Sequence, residues 1–135
     1  MNRARQHNIA ALSYIFPILP GKQEAWRRFC QEMAGSRHYE YELSRQRLGI
    51  TKECIQLVQM PPQGDIAVVY LEMKHPELVI AQLAHSDLPF DRWFRNQLLE
   101  LHGFDVTQLL SKQCSEVIFL WQRSQSTWGE PIQPG

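Results

Sequence analysis

The chain has 135 residues, with 14 basic and 14 acidic side chains, 44% hydrophobic residues and 10% aromatics, the profile of one compact domain. A chain of this length buries roughly two thirds of its unfolded surface, enough for a core without disulfide or metal staples. Balanced charge with the signs mixed gives no electrostatic footprint for a phosphate backbone or an anionic membrane, so no nucleic-acid or membrane partner is expected.

Ile9 to Ile18 is a mostly apolar run closed by Pro17, Pro20 and Gly21, and it predicts a first strand. From Lys22, Ala25, Trp26, Phe29, Cys30 and Met33 fall on one face of a helix that Gly35 interrupts. Ser36 can cap a second helical piece that ends at Leu48, where Gly49 supplies a stop. Ile50 to Met60 and Ile66 to Lys74 are strand-like runs joined through Pro61, Pro62, Gln63, Gly64 and Asp65, a hairpin signal. Pro76 opens a helix carrying Leu78, Val79, Ala81, Leu83 and Ala84. After Ser86, Asp87 and Pro89, a further helix presents Phe90, Trp93, Phe94, Leu98 and Leu101 and stops at Gly103. Cys114 to Gln122 predicts a last strand, and residues 124–135 a polar tail outside a single domain of residues 1–123.

Cys30, Cys54 and Cys114 lie singly in apolar segments without a CxxC or Cys/His pairing, so they read as buried free thiols in a reducing cytoplasm and not as a metal site. Met1 to Asn8 lacks the apolar core of a secretory signal, and Ile9 to Leu19 falls far short of the ~20 residues that span a bilayer. A cytoplasmic location is expected.

The order strand, helix, strand, strand, helix, strand, with both helices split, is the α+β ferredoxin-like βαββαβ plan with a four-stranded antiparallel sheet. Period-two alternation places Ile55, Leu57, Ile66, Val68 and Tyr70 on one face of the hairpin and Cys54, Val58, Ala67, Val69, Leu71 and Met73 on the other. The last strand is likewise two-faced, with Val117, Phe119 and Trp121 against Ile118 and Leu120. Two helical layers cover only one face, so a homodimer whose sheets pack face to face is expected.

In this element order and these two-faced strands the chain resembles, over roughly Ile9 to Arg123, the dimeric α+β barrel superfamily, in which two ferredoxin-like protomers join their sheets into one barrel. SRQRLGITKE and PFDRWFRNQLLELHG look like local signatures of an uncharacterised bacterial family within it. The resemblance implies a small-molecule pocket between sheet and helices, used by cofactor-free, monooxygenase-like oxygenases, by isomerases or by non-catalytic ligand-binding modules. No cofactor is expected. Haem-degrading relatives form a minor alternative, with His85 as axial ligand and Asn8 as pocket asparagine. The third strand departs from their pattern: it has Tyr70 and Glu72 but no tryptophan.

Candidate site residues follow from the chemistry. If Met60 pairs with Asp65, Glu53 stands opposite Glu72, and two carboxylates sharing a proton could act as a general base. A register shifted by two would instead pair Glu53 with Lys74 as an edge salt bridge. His85, beside Ser86 and Asp87, could shuttle protons; His102, before Gly103, suits a helix C-terminus. Arg92 and Arg95 could clamp a carboxylate, and Trp93 could wall an aromatic ligand, although Phe90, Trp93 and Phe94 also read as core. His38, Tyr41, Glu42, Arg45 and Arg47 on the split helix suit ligand contact or a dimer rim, with Tyr41 and Arg45 one turn apart. Tyr70 completes the ligand-facing set. No GxGxxG, P-loop, GxSxG or HExxH string occurs.

Overall fold

The computed structural model describes residues 9–111 and 116–123. Its elements are β1 (Ala10–Pro17), α1 (Gln23–Ala34), α2 (His38–Leu48), β2 (Ile50–Met60), β3 (Gly64–Met73), α3 (Pro76–His85), α4 (Pro89–His102) and a short 3-10 helix (Val106–Ser111). Each follows from local chemistry. Pro76 and Pro89 start α3 and α4, where a missing N–H costs nothing. Gly49 and Gly103 end α2 and α4 at φ of 74° and 66°, a left-handed conformation that residues with a Cβ avoid.

The strands form a three-stranded antiparallel sheet in the order β1-β3-β2. The expected four-stranded ferredoxin-like arrangement is not shown: residues 116–122 carry no strand, and Cys114 lies outside the described residues. The hairpin register also corrects the expectation. Met60 pairs with Gly64 across a turn of Pro61, Pro62 and Gln63, so Glu53 stands opposite Leu71, and Glu72 opposite Lys52. Shortening the turn by one residue moves every β2 side chain to the other face relative to β3. Glu53 and Glu72 therefore lie on opposite faces, and neither the shared carboxylate pair nor the Glu53–Lys74 bridge forms.

With this register the inner face carries Leu12, Tyr14 and Phe16 of β1, Ile55 and Leu57 of β2, and Ala67, Val69, Leu71 and Met73 of β3. The helices cover this face alone. Trp26, Phe29 and Met33 of α1, Leu83 of α3 and Phe90, Phe94, Leu98 and Leu101 of α4 are buried against it in the main core cluster. A second cluster joins Leu48, Leu71, Met73 and Val79. The outer face gathers Ile15, Val58, Ile66, Val68 and Tyr70, with the Cys54 thiol exposed among them rather than buried as expected. No described helix is long and apolar enough to cross a membrane.

Leu101 is 2% exposed while Leu99, on the same helix, is 51% exposed. Leu101→Ala is expected to destabilise the fold by about 2–5 kcal/mol in urea unfolding, and Leu99→Ala by less than about 1 kcal/mol. Equal costs would contradict this packing.

Candidate functional site

Helix α2 shows little amphipathic pattern because the side it buries is largely polar: Ser44 and Arg45 accompany Leu48 in the interior. Arg45 is the hub. Its Nε donates to Glu53 Oε1 at 2.8 Å, and Tyr41 Oη donates to the same oxygen at 2.6 Å. The Glu53 side chain is 7% exposed, so this ion pair is shielded from water. The guanidinium stacks on Tyr41 at 4.5 Å and on Phe94 at 4.7 Å, which returns part of its lost hydration. Arg45 Nη1 also donates to Ser44 Oγ, and Ser44 Oγ lies 3.4 Å from Asp91 Oδ1. Asp91, 1% exposed in the first turn of α4, accepts from Arg47 Nη2 through both carboxylate oxygens at 3.0 Å. A polar chain thus runs from β2 through α2 to the start of α4, where the helix dipole favours the Asp91 charge.

Burial, together with the neighbouring Glu53 charge, raises the Tyr41 hydroxyl well above the usual phenol range, with Arg45 opposing in part. Tyr41 therefore stays a protonated donor. Burial pulls the Arg45 pKa down, but the Glu53 charge and hydrogen bond outweigh it, so the net shift is upward and the guanidinium stays charged. Burial and then Glu53 push the Cys30 thiol up to about 11, against a smaller effect of Arg27, which keeps it from serving as a thiolate nucleophile at neutral pH.

Behind this network, between sheet and helices, lies a cavity of about 70 Å³ walled by side chains such as Phe16, Phe29, Ile55, Ala67, Leu83 and Leu98. Tyr14, Arg45, Glu53 and His102 also border it, although its surface is almost wholly apolar. On the other side of the network a more open groove of about 230 Å³ is bordered by Tyr41, Glu42, Gln46, Thr51 and Lys52. Arg45, Ile50 and Glu53 line both spaces.

The buried His102 ring serves more than the helix end. Nδ1 lies 2.9 Å from the Pro17 carbonyl oxygen, which can only accept, so the proton sits on Nδ1 and Nε2 is left as an acceptor in the neutral ring. The ring packs 5.2 Å from Phe16. Burial lowers its pKa below 6.5, with the Pro17 hydrogen bond opposing.

Of the residues singled out from sequence, Glu53, Tyr41, Arg45 and Arg47 meet in this network, Glu42 borders the groove and His102 the cavity. His38 is exposed beside Tyr41, with Nε2 3.5 Å from Glu42. Tyr70, Glu72, His85, Arg92 and Trp93 lie elsewhere. Tyr70 and Glu72 are on the outer sheet face, where Tyr70 Oη donates to Glu72 Oε2 at 2.6 Å, and this hydrogen bond is the main cause of the raised Tyr70 pKa. His85 and Arg92 are exposed and do not line the cavity. No Arg92/Arg95 clamp forms, because Arg95 Nη1 donates to the carbonyls of Leu83 and Ser86 at 2.7 Å and fastens the α3–α4 corner. Trp93 packs on Phe29 and Phe90 beneath the Arg37 guanidinium, which lies 4.1 Å from its ring centre. Asn8 falls outside the described residues. Sequence reasoning missed the Arg45–Glu53 and Arg47–Asp91 pairs; the available signal was two arginines two apart on a helix whose apolar residues have no common face. Among the described residues no group of three His, Cys, Asp or Glu side chains could hold a metal ion.

Glu53→Ala leaves a buried guanidinium unpaired and is expected to cost about 3–5 kcal/mol in denaturant unfolding, whereas Tyr41→Phe removes one hydrogen bond and costs about 1 kcal/mol. The lowered His102 pKa means that the unfolded chain binds the proton first as pH falls below about 6.5, so stability rises with pH through that window and is level above it. In urea midpoints between about pH 5.5 and pH 7.5, the wild type is expected to lose stability on acidification relative to His102→Gln; parallel profiles would show that the ring is not desolvated.

Comparison with family models, with curated proteins and with solved structures returned no match, so on the findings in hand the chain is a small α+β protein with a three-stranded antiparallel sheet and no identified family.

Proposed function

We propose that this chain binds a small amphipathic molecule, with a short apolar end inside the cavity and a polar end in the adjoining groove. The observation that carries the reading is the shared wall: Arg45, Ile50 and Glu53 border both spaces. Volume sets the size of the apolar end. At roughly 10–15 Å³ per water-sized position, the 70 Å³ interior takes about five heavy atoms, fewer than a cavity of ~150 Å³ that admits benzene. A polycyclic aromatic or a haem is too large for it, which narrows the expected ligand to a short chain or small branched group.

The polar chemistry supports binding over proton abstraction. Glu53 Oε1 already accepts from both Tyr41 and Arg45, so the carboxylate acts as a fixed wall of the site. The groove adds Glu42 and Lys52, charges of both signs, together with Gln46 and Thr51 as neutral hydrogen-bonding groups.

Four-carbon probes test this directly: 1-butanol, butyrate and butylamine, each followed by thermal unfolding. Binding at ten times a millimolar Kd stabilises by about 1.4 kcal/mol, on the order of 5 °C for a domain this size. At least one probe is expected to raise Tm by this amount, and Ala67→Leu, which fills the cavity, is expected to abolish the rise. No shift with any probe, or a shift that survives Ala67→Leu, would overturn the reading.

A further inference from the structure

A second groove, of about 260 Å³, lies between α1 and α4, and among the described residues it shares only Phe29 with the cavity between sheet and helices. The two helices run antiparallel along it. Lys22, at the entry to α1, reaches Glu100 in the last turn of α4 at 3.9 Å, and Phe29 meets Trp93 near the start of α4 with 5.5 Å between ring centres. Phe29 and Leu101, 4% and 2% exposed, form an apolar floor, and Ala25 brings only a methyl group to this side of α1.

The charged groups along the groove are unequally partnered. Glu100 is held by Lys22, and Glu32 by Arg37, whose Nε lies 3.3 Å from Glu32 Oε1 and whose guanidinium stands 4.1 Å from the Trp93 ring centre. Arg28, one helical turn before Glu32, is the lining cation left over: among the described residues its side chain makes no ion pair and no hydrogen bond. The side-chain amide of Gln97, half-buried on the facing helix, likewise has no hydrogen-bond partner among them. Free donors on two opposing helices therefore border a space with an apolar floor and an aromatic side chain at one end.

We propose that the α1–α4 groove is a second ligand site, separate from the cavity, for a small aromatic monocarboxylate. The planar guanidinium of Arg28 offers paired donors that match a carboxylate, and the Gln97 amide adds a donor from the other helix. The ring of the ligand lies on the floor beside Phe29 and Trp93, since aromatic rings pack favourably at offset or edge-to-face angles. Glu32 and Glu100 set the charge of the ligand: they repel a second negative charge, which disfavours a phosphate dianion or a dicarboxylate. At roughly 10–15 Å³ per water-sized position the groove takes about twenty heavy atoms, room for a single-ring acid with substituents.

The test titrates the full chain with benzoate and, in parallel, with benzamide, a neutral molecule of nearly the same shape. Proton–nitrogen correlation spectra follow the Gln97 side-chain amide and the Trp93 indole N–H. Benzoate is expected to shift both signals and to bind at least about five-fold more tightly than benzamide, the scale of one partly solvated charge contact. Arg28→Gln, at an exposed position, is expected to remove that preference while leaving benzamide unchanged, and Ala67→Leu, which fills the separate cavity, is expected to leave benzoate binding as it is. The comparison of the two probes on the wild type needs no variant to fold. Benzoate that moves neither signal at about 20 mM, equal affinities for the two probes, a preference that survives Arg28→Gln, or binding lost in Ala67→Leu would each overturn the proposal.

Discussion

The buried ion pair between Arg45 and Glu53 is the constraint around which the helical layer is arranged. A guanidinium and a carboxylate removed from water are costly to bury, and the pair persists only because each has further partners: Tyr41 on the carboxylate, Ser44 and two aromatic faces on the guanidinium. The pair and its partners together span three elements, α2, β2 and α4. The pair therefore fixes where α2 sits against the sheet, and the Arg47–Asp91 contact fixes the same helix against the start of α4. Lysine does not reproduce Arg45 here, since its ammonium has no planar face to stack on Tyr41 and Phe94 and its three donors sit on one nitrogen, whereas Arg45 reaches Glu53 and Ser44 from two separate nitrogens.

The cavity exists because of a size mismatch on the inner face. Ala67 is almost fully buried at the centre of β3, among Phe16, Leu57 and the aromatic side chains of α1 and α4. A single methyl group among large neighbours leaves unfilled space above it, and Arg45 and Glu53, held to one another, do not collapse into that space. Polar anchoring and incomplete apolar packing are thus two sides of one arrangement.

Much of the fold is legible in the sequence wherever one local rule decides it. The helical period of Trp26, Phe29 and Met33 marks α1, the prolines at 76 and 89 mark helix starts, and Gly49 and Gly103 mark helix ends. What was illegible depends on relations between segments. The faces of the hairpin turn on whether Met60 pairs with residue 64 or 65, a difference of one residue that no composition records. The buried side of α2 is hidden because hydrophobic periodicity detects apolar faces, and this helix buries Ser44 and Arg45. Glu53 stood out as a charge inside an apolar strand, and it is central; Glu72 looked equivalent, and the pleat sends it to the other face. His102 reads in sequence as a C-terminal helix residue, since the carbonyl that holds it belongs to Pro17, 85 positions away.

Hydrogen bonds and stacked cations lose energy steeply with angle and distance, whereas apolar side chains slide past one another with little change. Helix α2 is joined to β2 by the first kind of contact, so the wall of the cavity that carries Arg45 and Glu53 moves with the sheet as one rigid piece. The opposite wall, formed by Val79, Ile80 and Leu83 of α3 and by Val106, meets the interior through apolar contacts alone. Any breathing of the interior space is therefore one-sided: the start of α3, away from the Leu83 and Ser86 carbonyls that Arg95 holds, yields while the polar wall keeps its geometry, and the orientation in which the proposed ligand would meet Arg45 is set before it arrives.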